Sequence, residues 1–411
     1  MSEAESANNK VYFLSLAVEN VRCFGKKQKL ELWDSKDKTR PAQWTVILGN
    51  NGTGKTTLLK SFLIATIFRP NVFRFNDDLR RANTDGLTLL SRFAYDAVLD
   101  NTENTFKYWS NEHSITTASP VIKNGDLPPF NDDFFCLAYN ANRRLLDDNS
   151  ELIKAEEWLK DTYLFSEAKA KFKKRFNLVK KTLVDLLPDV TKIDIYYPDE
   201  NKPELKVRFL ANGVWLSLDA LSLGYQSMFS WVVDFAARLF KHYPNSKDPI
   251  KEPAVVLIDE IDLHLHPKWQ REIMGYLSDK FKNTQFIVTA HSPLIVQAAE
   301  DENANIVVLR RKKDSDEVEI IQDYKDIHGW RVDQLLASDL FDNQPIRSAK
   351  YDKLLKDRRA ILSKSHLTDE DEQELEKIEE QLDEMPTAET LEDIKAMDII
   401  RRASKLLEAK L

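Results

Sequence analysis

The 411-residue sequence has only two cysteines and ten glycines, and it contains no long hydrophobic run. Cys23 and Cys136 are too few for a disulfide framework or a cysteine-rich metal site, so both are expected to be small buried residues. No apolar stretch approaches the roughly 18 residues that cross a bilayer, and the first residues lack the apolar core of a signal peptide. We therefore expect a cytoplasmic protein with no membrane partner.

The acidic charge of the chain is unevenly distributed. The net charge is −8, which argues against a general nucleic-acid coat, and 42% of the residues are apolar, enough to bury a large core. Residues 367–411 contain 15 acidic and 6 basic side chains, a net charge of −9, which leaves about +1 for everything before them. The sequence thus predicts a nearly neutral globular part followed by an acidic tail.

Residues 49–56 read Gly-Asn-Asn-Gly-Thr-Gly-Lys-Thr and fit the phosphate-loop pattern G-x-x-x-x-G-K-[ST]. A β-rich run at 44–48 precedes the loop and a helical pattern at 57–65 follows it, which is the context that such a loop needs. Lys55 would reach the β- and γ-phosphates of ATP, and Thr56 would ligate Mg²⁺. The predicted nucleotide-binding residues here are Asn50, Asn51, Gly52, Thr53, Gly54, Lys55, Thr56 and Thr57.

Two further strand ends carry candidate catalytic residues. The apolar run 254–258 predicts a strand buried on both faces that ends at Asp259 and Glu260. We predict that Asp259 binds Mg²⁺ together with Thr56, and that Glu260 orients or deprotonates the attacking water. The run 285–288 leads to His291, which is either a contact to the γ-phosphate or a structural histidine. The predicted catalytic residues are Lys55, Glu260 and His291.

The segment 221–227, Leu-Ser-Leu-Gly-Tyr-Gln-Ser, lies between the phosphate loop and the acid pair. The four segments, in this order, resemble those of the ABC-type ATPases, within the RecF and SMC-like branch. The form of this signature, the residues 261–267 that follow the acids, and the stretch 138–144 are similar to the PtuA-type ATPases of the Septu and retron-associated anti-phage systems. They are also similar to the ATPase part of OLD-family nucleases.

This resemblance implies an α/β P-loop NTPase fold of ABC type, with a mixed central sheet, an antiparallel β subdomain, a helical signature lobe and C-terminal helices. It also implies a head-to-tail dimer or a larger homo-oligomer, in which Ser222 and Gly224 of one copy close over the phosphate loop of another. The expected divisions are residues 1–145 and 241–325 for the two halves of the ATPase core, 146–240 for the signature lobe, and 326–411 for the acidic helical region.

The place of the glutamine loop of this family is open, because the matching segment has no glutamine. Asn140 or Asn142 could supply the oxygen ligand instead. Arg143 is either a phosphate sensor or the ion-pair partner of Asp147 and Asp148.

Three other features have competing interpretations. The basic stretch within residues 169–181 is either a contact to a nucleic-acid backbone or a solvated helix face. His264 and His266 suggest zinc, but no further ligands lie nearby in the sequence. A cap at Thr368 and two apolar periodicities, at 375–385 and 391–400, predict C-terminal helices that either pack on the core or receive a partner.

The leading interpretation is an ATP-hydrolysing dimeric switch that controls a separate effector, a nuclease, in bacterial anti-phage defence. No nuclease activity is expected in this chain, because the residues after the ATPase core are too few and too helical for such a domain. One alternative is a RecF-like repair ATPase that clamps duplex DNA, so DNA or RNA is a candidate ligand. The other is a scaffold that binds ATP with negligible turnover.

Overall fold

The computed structural model describes most of the chain: residues 11–34, 37, 40–66, 88–95, 106–111, 114–117, 134–146, 151–187, 189–199, 204–217, 220, 223–322, 327, 329–344, 348–364 and 368–383. The contacts divide it into two units, one up to Leu335 and one from Leu336 onward. No helix in the described residues is long and apolar enough to cross a membrane.

The strands and helices follow one another in an order that alternates between sheet and helix after residue 250. The strands are β1 (Val11–Glu19), β2 (Gln28–Glu31), β3 (Trp44–Gly49), β4 (Thr88–Tyr95), β5 (Phe106–Asn111), β6 (Ser114–Thr117), β7 (Cys136–Tyr139), β8 (Val190–Tyr196), β9 (Lys206–Ala211), β10 (Val214–Leu216), β11 (Ala254–Ile258), β12 (Thr284–Thr289), β13 (Asn305–Arg311) and β14 (Val318–Ile321). The helices are α1 (Lys55–Thr66), α2 (Ala155–Ala168), α3 (Lys173–Leu186), α4 (Leu223–His242), α5 (Pro267–Lys280), α6 (Pro293–Asp301), α7 (Val332–Leu336), α8 (Ala349–Leu362) and α9 (Asp369–Asp383).

A six-stranded mixed sheet forms the centre of the first unit. Its strand order is β14-β13-β3-β12-β11-β7, and every pair is parallel except β13 with β14. All residues of β11 and β12 are buried, as their continuous apolar sequences predict for strands covered on both faces. Because β3, β7, β11 and β12 run parallel, their carboxyl ends meet at one edge of the sheet, where ligands bind in α/β folds.

A second, antiparallel sheet with the order β2-β1-β4-β5-β6 faces the mixed sheet. The strands predicted for the region 85–123 are present as β4, β5 and β6, and they extend the sheet of β1 and β2. Phe13 of β1 and Phe62 of α1 pack edge to face in the shared core, with centroids 5.0 Å apart. Gln285 of β12 links the two sheets, because its side-chain amide exchanges hydrogen bonds of 2.8 and 2.9 Å with the main chain of Phe13.

The signature lobe is built from α2, α3 and α4 with the three-stranded sheet β10-β9-β8. The two helices α2 and α3 have 14 residues each and occupy most of the segment before β8. Asp234 of α4 is fully buried and joins the lobe to the core. It accepts hydrogen bonds from Tyr139 Oη at 2.7 Å and from the main-chain N–H of Ile153 at 2.8 Å, and it pairs with Arg238 at 2.8 Å.

In the second unit, α8 and α9 form a helical pair. The predicted cap is present: the N–H of Asp371 donates to Thr368 Oγ1 at 3.2 Å and the N–H of Thr368 donates to Asp371 Oδ2 at 3.1 Å. Arg358 of α8 forms an ion pair of 2.9 Å with Glu379 of α9. The second predicted C-terminal periodicity, at 391–400, lies outside the described residues, and the predicted division at residue 326 stays a prediction.

Candidate nucleotide site

The phosphate-loop segment lies at the carboxyl end of β3 and leads directly into α1. At two positions of this loop the backbone conformation requires glycine. Gly52 has a φ of 76°, and Gly54 has a φ of 86° with the Sγ of Cys23 only 2.4 Å from where a Cβ would lie. The hydroxyl of Thr53 donates to Asn50 O at 2.8 Å and holds the turn. No atom lies within 4 Å of a Cβ at Gly52, so the outer side of the loop is open to a ligand.

The side chain of Lys55 lies inside the loop rather than in solvent. It is 7% exposed, and its Nζ donates to Gly49 O at 2.7 Å and to Asn50 O at 3.0 Å. Burial lowers the pKa of Lys55, while the carboxylates that follow β11 oppose this shift. The ammonium group is therefore positioned at the loop where the sequence predicts contact with phosphates.

A chain of hydrogen bonds joins α1 to the ends of β11 and β12. The Thr56 hydroxyl donates to Asp259 Oδ2 at 2.6 Å, and the Thr289 hydroxyl donates to Asp259 Oδ1 at 2.6 Å. The N–H of Glu260 donates to Thr289 Oγ1 at 2.7 Å. The two predicted metal ligands are thus in contact, and a hydroxyl with a carboxylate is an oxygen donor set of the kind that Mg²⁺ prefers.

Glu260 begins a tight turn at the carboxyl end of β11. Its φ is 52°, in the left-handed region, and its carbonyl accepts a hydrogen bond of 3.0 Å from the N–H of Leu263. Asp262 in the same turn accepts a hydrogen bond of 3.0 Å from the N–H of His291. The turn that begins at Glu260 is therefore joined to the main chain of His291 by the carboxylate of Asp262.

His291 is partly buried beside the loop lysine. Burial lowers the pKa of His291 below 6.5, and the positive charge of Lys55 lowers it further. The carboxylates of Asp262, Glu260 and Asp259 oppose this shift. The charges of Lys55 and Glu260 both act on His291, so the three predicted catalytic residues lie close to one another.

The structure gives Arg143 a different place from either role that the sequence suggests. Its guanidinium is buried and donates to the main-chain carbonyls of four residues in the turn after β11: Asp259 (3.2 Å), Glu260 (2.9 Å), Ile261 (3.4 Å) and Leu263 (3.3 Å). The guanidinium is thus engaged with these carbonyls, and the phosphate-sensor assignment of Arg143 stays a prediction. Its proposed partners Asp147 and Asp148 lie outside the described residues.

The other candidates from this segment are also explained by local structure. The side-chain oxygen of Asn140 accepts a hydrogen bond of 3.0 Å from the N–H of Arg144, so it closes its own turn. Asn142 is exposed. Neither position shows an arrangement that favours a ligand role for its oxygen.

Of the remaining predicted nucleotide contacts, the structure describes Asn51, Thr57 and Gly224. Asn51 is exposed on the loop, whereas the side chain of Thr57 is buried, so a phosphate contact from Thr57 would come from its backbone. Ser222 lies outside the described residues. Gly224 lies in the first turn of α4, at the helix N-terminus that the resemblance assigns to the partner copy's nucleotide.

The two neighbouring histidines, His264 and His266, lie in a turn and at a helix cap. His264 has a φ of 64° in a turn, and His266 caps α5 by accepting a hydrogen bond of 3.3 Å from the N–H of Lys268. The alternation expected of a strand is therefore absent at these positions. The described residues contain no group of three or more histidine, cysteine or acidic side chains that could hold a metal ion.

The basic stretch is only partly a free charged surface. Arg175 of α3 lies over the ring of Phe240, 4.5 Å from its centroid, and donates to the carbonyl of Phe240. Lys173 and Lys174 are exposed. Arg175 therefore fixes α3 to α4, and contact of the two exposed lysines with a nucleic-acid backbone stays a prediction.

Sequence reasoning missed the roles of Thr289 and Arg143. Thr289 directly follows the run 285–288, and a hydroxyl at the end of an apolar buried strand signals a needed hydrogen bond. Nothing in the local sequence of Arg143 shows that its partners are carbonyls more than a hundred residues away.

A phosphate loop between a buried parallel strand and a helix, with an acid pair at the same sheet edge, defines a P-loop nucleotide-binding protein. Residues 76–297, more than half of the chain, match the family described as "AAA domain, putative AbiEii toxin, Type IV TA system". The chain belongs to this family. A further AAA-domain family matches residues 15–113.

The relatives come from two kinds of bacterial system. The chain is 33% identical over 171 residues to "Retron Ec83 probable ATPase" of Escherichia coli, which covers 41% of this chain and 30% of the relative. It is 26% identical over 365 residues to "Septu protein PtuA" of Bacillus mycoides, which covers 85% of this chain and 48% of the relative. The chain thus spans half or less of the length of these relatives. Among solved structures, the SMC head domain of Thermotoga maritima aligns with a TM-score of 0.46 and 16% identity over 76% of this chain and 99% of that one.

Proposed function

We propose that the chain is a Mg²⁺-dependent ATPase that acts as a head-to-tail dimeric switch and controls a separate nuclease in anti-phage defence. The observation that carries the catalytic part is the hydrogen-bond chain from Thr56 through Asp259 and Thr289 to Glu260. This chain of hydrogen bonds supports a site in which the phosphate loop, the metal ligands and the general base are held in fixed positions relative to one another.

The residues divide the work of hydrolysis among them. Lys55 and the loop N–H groups would bind the phosphates, and Thr56 and Asp259 would hold Mg²⁺, which would supply positive charge to offset that of the phosphates. Glu260 would orient the attacking water and accept its proton, because it directly follows the metal ligand Asp259 at the carboxyl end of β11. His291, kept neutral by its lowered pKa, can donate a hydrogen bond to the γ-phosphate.

The test of the catalytic proposal is ATP turnover by the wild type and by Glu260→Gln. A switch hydrolyses ATP, and the variant binds ATP, retains only a small residual turnover and accumulates as a dimer. Negligible turnover by both proteins, with ATP bound, would favour the scaffold alternative. A protein that neither binds nor hydrolyses ATP would overturn the proposal.

The dimer has its own test, because a head-to-tail pair builds each site from two copies. Lys55→Ala and Ser222→Arg should each be inactive alone. Mixed before assay, they form heterodimers in which one site has both residues intact, so about one quarter of the wild-type sites should return. No recovery from the mixture would contradict sites shared between copies.

The acidic face of α9 is the proposed contact to the nuclease. Glu372 and Glu376 lie one turn apart and are exposed, whereas Glu379 is engaged with Arg358 of α8. A partner that presents a basic surface would match this charge. The contact can be changed by charge reversal at these positions without breaking the α8–α9 pair, which a truncation after Leu367 would do.

The test is co-purification with a nuclease encoded by a neighbouring gene. Glu372→Lys with Glu376→Lys should weaken retention of the nuclease. The matched control is Glu272→Lys with Asp279→Lys, which reverses two exposed acids on α5. Equal retention by both double variants would remove α9 from the interface.

A further inference from the structure

The turn after β11 depends on one distant side chain for much of its hydrogen bonding. Within the turn, Leu263 N–H bonds to Glu260 O at 3.0 Å and Leu265 N–H bonds to Asp262 O at 3.1 Å. Glu260 holds a left-handed backbone conformation, which costs a non-glycine residue about 1 kcal/mol and persists only where the surroundings fix it. The carbonyls of Asp259, Glu260, Ile261 and Leu263 all receive hydrogen bonds from the guanidinium of Arg143.

Arg143 is itself fixed before it reaches this turn. Its N–H donates to Asn140 O at 2.8 Å, and Asn140 N–H donates to Arg144 O at 2.9 Å, which closes the loop that carries it. The segment also pairs with the acid turn at its start, where Asp259 N–H donates to Tyr139 O at 2.9 Å. The guanidinium therefore extends from a rigid support on β7, the strand beside β11.

The guanidinium has the geometry that this position needs. It is 6% exposed, and burial lowers the pKa of Arg143 to about 10, so it remains positively charged at neutral pH. A planar group with donors on two nitrogens can bond to several carbonyls of one turn at once, whereas an ammonium group offers its donors from a single atom. The buried charge is thus solvated by main-chain dipoles, with the acid carboxylates nearby as counter-charges.

We infer that Arg143 is a positioning residue for ATP hydrolysis: it fixes the main chain of Glu260 and so directs the Glu260 carboxylate at the attacking water. This inference rests on the proposed ATPase function. Arg143 acts through the carbonyls of the turn and not through the nucleotide, since within the described residues its guanidinium donates to the turn at 259–263 and not to the phosphate loop. Removing it should therefore slow the chemical step and leave nucleotide binding nearly intact.

The experiment compares Arg143→Lys and Arg143→Ala with the wild type, and uses Arg144→Ala as the matched control. Arg144 is the adjacent arginine and is exposed. Losses of 10- to 100-fold are typical when a residue that orients a ligand-bearing group is removed, and we expect kcat to fall by about this factor in both Arg143 variants. The Kd for ATP should change less than about threefold, and Arg144→Ala should keep near wild-type values of both constants.

Two further readouts separate positioning from a general loss of structure. In the Glu260→Gln background, Arg143→Lys should cost no more than about a twofold further loss of turnover, because the two residues act as one unit. Guanidinium ion added at millimolar concentration should restore part of the kcat of Arg143→Ala and leave Arg144→Ala unchanged. If Arg143→Ala does not fold, Arg143→Lys and Arg143→Gln decide the question through the same kcat and Kd.

The outcomes are distinct. A wild type without turnover would refute the proposed function, and the positioning role with it. Turnover in the wild type that persists undiminished in Arg143→Lys and Arg143→Gln would overturn the inference alone. Equal losses of ATP affinity and kcat, additive with Glu260→Gln, would also overturn it, because they would describe a damaged fold.

Discussion

Replacing Thr289 by valine tests the central hydrogen bonds of the site. The side chain is fully buried, and its hydroxyl accepts from Glu260 N–H at 2.7 Å and donates to Asp259 Oδ1 at 2.6 Å. Valine keeps the shape of threonine and removes both bonds. The N–H of Glu260 then lacks this acceptor, and the Asp259 carboxylate loses a charge-assisted bond.

The expected cost follows from these two losses. A buried N–H without a partner costs about 1–3 kcal/mol, and a hydrogen bond to a charged group contributes about 1.5–3 kcal/mol. The added methyl group returns about 0.8 kcal/mol of apolar burial. We therefore expect the free energy of unfolding to fall by about 2–5 kcal/mol, with a lower urea midpoint and an unchanged slope.

The same strand provides the control. Thr284 is 2% exposed, and its hydroxyl oxygen has no hydrogen-bond partner within the described residues. Thr284→Val should therefore leave stability unchanged or raise it by up to about 1 kcal/mol. Thr289→Ser, which keeps the hydroxyl, should recover most of the loss. Equal urea midpoints for Thr289→Val and Thr284→Val would refute the reasoning.

Three other substitutions test separate contacts. Tyr139→Phe removes the hydrogen bond to buried Asp234 and should lower the unfolding free energy by about 1–2 kcal/mol in urea titrations. Because the pKa of His291 is lowered in the fold, the unfolded chain takes up this proton first as the pH falls below 6.5. Nucleotide-free wild type should therefore lose more stability than His291→Gln as the pH falls through that range, and parallel losses would contradict the shift. Thr368→Ala removes the cap of α9 and should cost about 1 kcal/mol in thermal unfolding, whereas Thr368→Ser should not.

The sequence was most informative where one local rule decides the structure. The apolar runs that became β3, β11 and β12 are buried on both faces, so their composition alone identified them and their carboxyl ends. The cap at Thr368 was equally local, because a capping box involves residues only three apart. The phosphate loop belongs to the same class, since its pattern and its flanking elements are contiguous.

Long-range polar contacts were beyond local reasoning. Gln285 lies in a run that indicates a strand, but its amide bonds to Phe13, which is 272 residues away. Arg143 is a similar case, since its side chain reaches the turn at 259–263. The partner of such a polar residue can be identified only when the fold is known, because the fold places β1 close to β12 and β7 beside β11.

The position of β7 explains how the signature lobe can influence hydrolysis. This edge strand pairs with β11, and Tyr139 at its end contacts both sides: its carbonyl accepts from Asp259 N–H, while its hydroxyl donates to Asp234 of α4. A displacement of α4 by a partner copy at its N-terminus would therefore act on the strand end that also carries Arg143. In the proposed dimer, closure and the alignment of Glu260 would follow one contact path, because β7 and the segment after it hold the acid turn by main-chain and guanidinium bonds. The kcat of Tyr139→Phe in mixed dimers measures this coupling.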